Sequence, residues 1–108
     1  MVVGLCELIV AIPGSRSLKQ KRSAMRKVID RTRNRFSVSI AEVDLQDKWQ
    51  RGQIGFATVG NDFAKIQSIL DRVIQFIESL FVVSIIDVRQ QIDTFSPDVD
   101  EGTGFRFD

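Results

Sequence analysis

The order in which hydrophobic periodicities change along the chain is the feature that most limits its fold. Runs rich in Val and Ile alternate with two stretches whose apolar residues recur three or four positions apart, the spacing of amphipathic helices. A short connection containing Gly52 joins the middle two runs, which predicts an antiparallel hairpin. The predicted elements are strands at 2–12, 37–45, 53–59 and 81–93 and helices at 17–36 and 63–80.

This β-α-β-β-α-β order is that of the ferredoxin-like fold, an α+β architecture. It predicts a four-stranded antiparallel sheet with both helices on one face, formed by residues 1–95 as one domain. Residues 96–108 contain Pro, Gly and acids without periodicity. We therefore expect them to form a flexible acidic C-terminal tail.

The apolar pattern of the first strand predicts an interface. Both of its faces are apolar except at Glu7, whereas the helices can cover one face of the sheet only. Val83 and Ile85 are expected to add to the uncovered side. An exposed apolar sheet face favours a homodimer. The alternative is a modest patch that the tail shields with Phe105 and Phe107.

Positive charge is concentrated in one segment of the chain. Residues 16–35 contain nine Lys or Arg and one acid, whereas the rest is net negative and the whole sums to +1. At 100° per residue, one flank of the predicted helix collects a basic ridge of Lys19, Arg22, Arg26 and Arg33. Such a ridge can follow a phosphate backbone and recognise its shape rather than its base sequence.

The alternative for this charge is a solvated helix face that the protein's own carboxylates balance. Lys21 points close to the apolar stripe, so its ammonium needs a carboxylate or a carbonyl. Glu42 and Asp44 share one strand face and Asp47 follows in the turn, which makes these acids the expected ion-pair partners. Three acids also suit a hard cation, but the spacing of a calcium loop is missing, so no metal is expected.

Two loops extend the candidate surface. The loop at 13–17 leads from a strand into a helix start, where free N–H groups beside Arg16 can hold a phosphate. The turn after the second strand carries Trp49 and Arg51, which can stack on a base or contact a protein partner. The alternative for Trp49 is an indole folded back on the edge of the domain.

The residues that most often support catalysis are absent. The chain has no His and no Tyr, and its single cysteine, Cys6, lies in an apolar strand where a thiol is usually buried and inert. One cysteine without an internal disulfide partner fits a reducing cytoplasm, and neither a signal peptide nor a membrane span is apparent. We therefore expect a cytoplasmic protein that is not an enzyme and needs no cofactor.

Three motifs in order give the chain a family resemblance. They are SLKQKR at 17–22, RTRNRF at 31–36 and AEVDLQDKWQR at 41–51. They resemble the YlxP-like family, small bacterial proteins that carry a domain of unknown function, over about residues 1–95. Ser37 departs from the Asn of many members. The family's recurrent positions are filled by Lys19, Lys21, Arg22, Glu42, Asp47, Trp49, Gln50 and Arg51.

The resemblance implies a ferredoxin-like fold and no catalytic residues. Genes of the family often lie among those for translation initiation and ribosome maturation, which implies ribosomal RNA or a ribosomal particle as partner. The resulting prediction is a non-catalytic RNA- or ribosome-associated factor, and the alternative is a homodimeric module that docks on an acidic protein. The predicted RNA-binding residues are Arg16, Lys19, Arg22, Arg26, Arg33, Trp49 and Arg51.

Overall fold

The computed structural model describes residues 1–96 and confirms the ferredoxin-like fold. The strands pair antiparallel in the order β2-β3-β1-β4, so β2 and β4 form the edges of the sheet. Apart from Ser96, the predicted tail with Phe105 and Phe107 lies outside the described residues. The elements are β1 (Val2–Ala11), α1 (Leu18–Arg35), β2 (Ser39–Asp44), β3 (Arg51–Gly60), α2 (Phe63–Ser79) and β4 (Ser84–Thr94).

Side-chain caps fix the start of each helix. Ser17 Oγ accepts a hydrogen bond from the Gln20 N–H at 3.1 Å, as the sequence pattern predicts. The reciprocal bond reaches one residue further back, because Gln20 Oε1 accepts from the Arg16 N–H at 2.7 Å. Asp62 caps α2 by accepting from the N–H groups of Ala64 and Lys65. These bonds satisfy donors that a helix start leaves unpaired.

The core lies between the sheet and the two helices. Alternate side chains of β1, among them Cys6, Leu8 and Val10, are buried against apolar residues of α1 and α2. Gly4 permits a close approach of α2, since a Cβ at this position would lie 2.5 Å from Ile66 Cγ2. The helices thus cover one sheet face and present their own outer surface to solvent.

The opposite face of the sheet has no covering element among residues 1–96. We call it the uncovered face. The expectation that Val83 and Ile85 lie on it is wrong, because Val83 is 5% exposed within the core and Ile85 pairs with Val10 on the helix side. A register shift between Ile9 and Val10 inserts one extra residue in β4, which reverses the alternation of its faces.

Candidate nucleic-acid interface

The basic ridge forms on α1 as predicted from the helical angle, with all four side chains exposed. Its flank is the one near edge strand β2, because Arg33 Nη2 donates to the Ile40 carbonyl at 2.9 Å. Arg33 Nη1 also lies 3.4 Å from the Asp30 carboxylate, so this guanidinium is partly engaged. Lys19, Arg22 and Arg26 make no side-chain hydrogen bond or ion pair within residues 1–96.

Two loops meet at the end of the molecule where α1 begins. The Ile12 N–H donates to the Gln50 carbonyl at 3.0 Å, and Gln50 Nε2 donates to the Ser15 carbonyl at 3.1 Å. These bonds hold the loop at 13–17 against the turn that leads from β2 into β3. The structure therefore brings the predicted residues Arg16, Lys19, Trp49 and Arg51 to one end, while Arg33 lies near the other end of α1.

The Trp49 side chain is available for contact at this end. It is 55% exposed, so the indole is not folded back against the domain. It has no aromatic or cationic ring contact within the described part of the chain. Arg51 is also exposed. An exposed indole can stack on an unpaired base without a sequence preference.

Lys21 makes a buried ion pair beneath the ridge. Its side chain is fully buried, and its Nζ lies 2.5 Å from Glu42 Oε2. Glu42 Oε2 is buried, and the Lys21 ammonium is its cationic partner within residues 1–96. Nζ also donates to the Leu45 carbonyl at 2.7 Å. Both kinds of partner that the sequence required for this ammonium are thus present.

The buried ion pair also holds the turn that carries Trp49. Leu45 has a backbone φ of 61°, a left-handed conformation that residues other than Gly and Asn seldom adopt. Its carbonyl accepts both the Lys21 ammonium and, at 3.1 Å, the N–H of Lys48. These bonds fix the left-handed residue at the end of β2 and therefore the direction in which the turn leaves the sheet.

The remaining predicted acids do not reach the basic ridge. Asp44 Oδ1 accepts a hydrogen bond from the Leu45 N–H at 2.7 Å, which makes it a local turn residue. Asp47 is exposed and forms no ion pair within residues 1–96. The same residues contain no group of three acid or cysteine side chains that could hold a metal ion. Nor does this part of the chain contain a helix with the length and apolar character needed to cross a bilayer.

Cys6 is protonated at neutral pH. It is 2% exposed, and burial, followed by the charges of Glu7 and Asp71, raises the pKa of its thiol to about 12. The thiolate is the nucleophilic and metal-binding form of cysteine. Nucleophilic catalysis by Cys6 is therefore disfavoured, because a substrate cannot reach the buried sulfur and the thiol is not ionised.

We expect iodoacetamide to alkylate Cys6 of the folded protein at pH 8 at least ~100-fold more slowly than in urea, because unfolding restores an ordinary thiol pKa and access. Mass spectrometry over a time course measures both rates, with Cys6→Ser as the unlabelled control. The rate in the folded state should rise with pH between about 8 and 10, as the thiolate fraction rises, provided that the fold persists. Equal rates in buffer and urea would contradict a buried thiol.

One basic cluster was missed by reasoning from the sequence. Arg35 and Phe36 at the end of α1 meet Arg72 and Phe76 of α2 across the groove between the helices. The available signal was the spacing of Arg72 and Phe76, which places both on the same flank of one helix. Periodicity within each helix does not indicate which flanks of the two helices face each other.

Comparison with known proteins places the chain in a family. Residues 3–90 match the family described as "Protein of unknown function (DUF503)". The chain belongs to this family. It is also similar to the "Uncharacterized protein YlxP" of Bacillus subtilis (strain 168), with 40% identity over 74 residues that cover 68% of this chain and 78% of the relative. The YlxP-like resemblance of the three sequence motifs is thereby confirmed.

Solved structures are similar to this DUF503 member at low identity. A candidate antibiotic biosynthesis monooxygenase from Deinococcus radiodurans is similar at a TM-score of 0.50 and 17% identity, over 94% of this chain and 98% of that chain. The de novo designed protein Foldit4 gives a TM-score of 0.49 at 13% identity, over 89% of this chain and 100% of its own. At 17% identity, the likeness to the monooxygenase shows the fold alone.

Proposed function

We propose that this DUF503 protein is a non-catalytic RNA-binding accessory factor that grips the phosphates of structured RNA through the basic ridge. The single observation that carries this proposal is the lack of compensation for the charge on α1. Within the described residues, Lys21 and Arg33 are the bases of this helix that contact a carboxylate. The others face solvent, and an uncompensated cationic surface attracts a polyanion.

The distribution of acids supports the same proposal. Glu7, Asp87 and Asp93 project from the uncovered face of the sheet, on the side of the molecule opposite the helices. Asp71 of α2 is turned toward β4, where its carboxylate accepts from Gln90 Nε2 at 3.5 Å. α1 carries eight bases and one acid, Asp30, whereas the uncovered face carries these three acids beside Arg89. An RNA that approaches α1 therefore meets one carboxylate on that helix.

The sheet itself offers no aromatic platform for bases. Phe56 of β3 is buried beneath the helices, and the neighbouring side chains on the uncovered face are Leu5 and Ala57. Domains that recognise single-stranded RNA through a sheet of this topology stack bases on exposed aromatic residues of the central strands. The ridge together with Trp49 therefore favours recognition of RNA shape, with one stacking contact beside the phosphates.

The partner that we infer is ribosomal RNA. The DUF503 membership and the YlxP-like motifs support this choice, because genes of the family often lie among those for translation initiation and ribosome maturation. The chain's own basic residues supply the phosphate-binding chemistry. Labelled ribosomal RNA hairpins, titrated with wild-type protein over a salt series, test it by fluorescence anisotropy. Contact with three or more phosphates predicts that log K falls with log salt at a slope of at least about 2. A slope near zero, or no saturable binding, would contradict the proposal.

The uncovered face supports the alternative, a protein-interaction module. Exposed large apolar side chains on β1, β2 and β3 include Leu5, Val43 and Val59, whereas β4 presents Asp87 and Arg89 there. We call the area around these three side chains the apolar part of the face. We keep the homodimer as a prediction about this part, compatible with RNA binding on the opposite side of the molecule.

We expect the wild type to sediment as a dimer and Leu5→Asp as a monomer, because a carboxylate buried in an apolar contact costs several kcal/mol. Phe81→Asp is the control: it removes a side chain that is 92% exposed in the turn before β4, away from the apolar part. Analytical ultracentrifugation over a range of concentrations measures both. A wild type that stays monomeric throughout would contradict the dimer, and loss of the dimer in the control would contradict its location.

A further inference from the structure

A second cationic site lies in the groove between the two helices, on the flank of α1 opposite the basic ridge. It is lined by Arg35, Phe36, Arg72, Gln75, Phe76 and Ser79 and encloses about 270 Å³. This volume is below the range of roughly 300–1,000 Å³ that pockets for drug-sized ligands occupy. The groove, which we call the interhelical groove, therefore suits a small ligand or one group of a larger one.

Two phenyl rings form its floor and two guanidinium groups lie over them. The rings of Phe36 and Phe76 pack edge to face with their centroids 5.5 Å apart. Arg35 Cζ lies 5.3 Å from the Phe76 centroid, and Arg72 Cζ lies 5.9 Å from the Phe36 centroid. Cation–π contact restrains both cations before any ligand arrives.

The contact with the rings leaves the hydrogen-bonding edges of the guanidinium groups available. A cation–π contact is an attraction to the charge distribution of the ring, so it uses none of the acceptors or carboxylates that the guanidinium N–H groups would otherwise bind. Neither Arg35 nor Arg72 donates a hydrogen bond or forms an ion pair within residues 1–96. The Gln75 side-chain amide adds a further N–H donor to the lining.

Within residues 1–96, no carboxylate forms an ion pair with either of these two cations. None of the lining residues is acidic. Asp71 precedes Arg72 in sequence, but its carboxylate accepts from Gln67 Nε2 at 3.1 Å on the β4 side of α2. Arg35 Cζ also lies 5.9 Å from the Phe36 centroid, so the two cations are at most twice that distance apart. An anion between them would relieve their repulsion.

We propose that the interhelical groove is a phosphate-binding site. Arg35 and Arg72 would each donate to phosphate oxygens from opposite walls, and Gln75 would donate a third hydrogen bond. Guanidinium groups match phosphate geometry with paired N–H donors, which makes arginine well suited to this ligand. The site is independent of the basic ridge and does not require that the ridge bind RNA. Its phosphate belongs either to a free polyphosphate or nucleotide or to an RNA strand.

Inorganic pyrophosphate is the probe that tests the site directly. Arginine Nε–H signals are followed by NMR while sodium pyrophosphate is added at constant ionic strength. We expect saturable shifts of the Arg35 and Arg72 signals and an affinity that falls at least ~10-fold in Arg35→Gln/Arg72→Gln, because two charge-assisted contacts are lost. Arg72→Gln alone, which leaves one of the two cations on the rings, should show an intermediate loss.

The matched control is Lys27→Gln/Arg89→Gln, which removes the same charge from exposed positions outside the ridge and the groove and should leave pyrophosphate affinity unchanged. Shifts that do not saturate, or an equal loss of affinity in the control, would overturn the proposal in favour of diffuse electrostatic attraction.

A parallel titration with labelled RNA separates the two sources of phosphate. Weaker RNA binding by Arg35→Gln/Arg72→Gln assigns the groove to an RNA strand, whereas unchanged RNA binding beside lost pyrophosphate binding assigns it to a free ligand. Failure of the wild type to bind RNA would reject the proposed function and leave the pyrophosphate result standing.

Discussion

Replacing Lys19, Arg22 and Arg26 together by glutamine is expected to lower the affinity for structured ribosomal RNA by about 100-fold at moderate salt. The three side chains are exposed and make no ion pair within residues 1–96, so their charge is available to phosphates. The salt slope should flatten by about 2 to 3, since each lost phosphate contact removes close to one unit. Fluorescence anisotropy with labelled hairpins over a salt series measures both quantities.

A second triple variant separates the ridge from net charge. Lys27→Gln/Lys65→Gln/Arg89→Gln removes the same charge from dispersed exposed positions and should change the affinity by less than about threefold, because it removes no ridge contact. Both variants should remain within about 0.5 kcal/mol of the wild type in stability, as exposed substitutions usually do. Equal losses in the two triples would show that the RNA senses overall charge rather than the ridge.

Lys21→Met is expected to destabilise the fold by about 3 kcal/mol. The substitution leaves buried Glu42 Oε2 without its cation and removes the ammonium from the Leu45 carbonyl. A buried charge that loses its partner keeps the full cost of its removal from water. Urea unfolding, followed by far-ultraviolet circular dichroism and Trp49 fluorescence, measures the change in the free energy of unfolding.

The double variant Lys21→Met/Glu42→Met should recover most of that loss, because apolar side chains of similar size often replace a buried ion pair without net destabilisation. The four proteins, wild type, two single variants and the double, form a cycle that isolates the interaction energy of the pair. Lys19→Met, an exposed position on the same helix, is the matched control and should change stability by less than about 0.5 kcal/mol. A Lys21→Met protein as stable as this control would contradict a structural role for the ion pair.

The sequence was sufficient for the order of elements, because strand and helix periodicities differ clearly and each segment is long enough to show one of them. It was also sufficient for the surroundings of Lys21: an ammonium on an apolar helix stripe needs a carboxylate or a carbonyl, and Glu42 and Leu45 supply one each. Both inferences depend on local spacing and on the cost of an unpaired buried charge. They required no knowledge of how distant segments are arranged.

The wrong or missing predictions concern features that depend on how distant segments of the chain are arranged. The bulge in β4 carries no Gly or other local signal, so strict alternation assigned Val83 and Ile85 to the wrong face. The interhelical groove joins Arg35 to Arg72 across segments that are far apart in sequence, and its existence depends on which helix flanks meet. Helical angle places a residue on its own helix, but it does not place one helix against another.

The strand order also determines when the sheet can be completed. β1 is the first strand in the chain and lies inside the sheet, with Val2 opposite both Gly60 and Thr94. Such pairings between distant segments must close long loops before their contacts stabilise anything, which slows folding. During synthesis, α1 and the β2–β3 hairpin can form from local contacts, while one edge of β1 stays unpaired until β4 has been made. A nascent or truncated chain that lacks β4 would therefore expose an apolar strand edge, a template for aggregation until the last strand arrives.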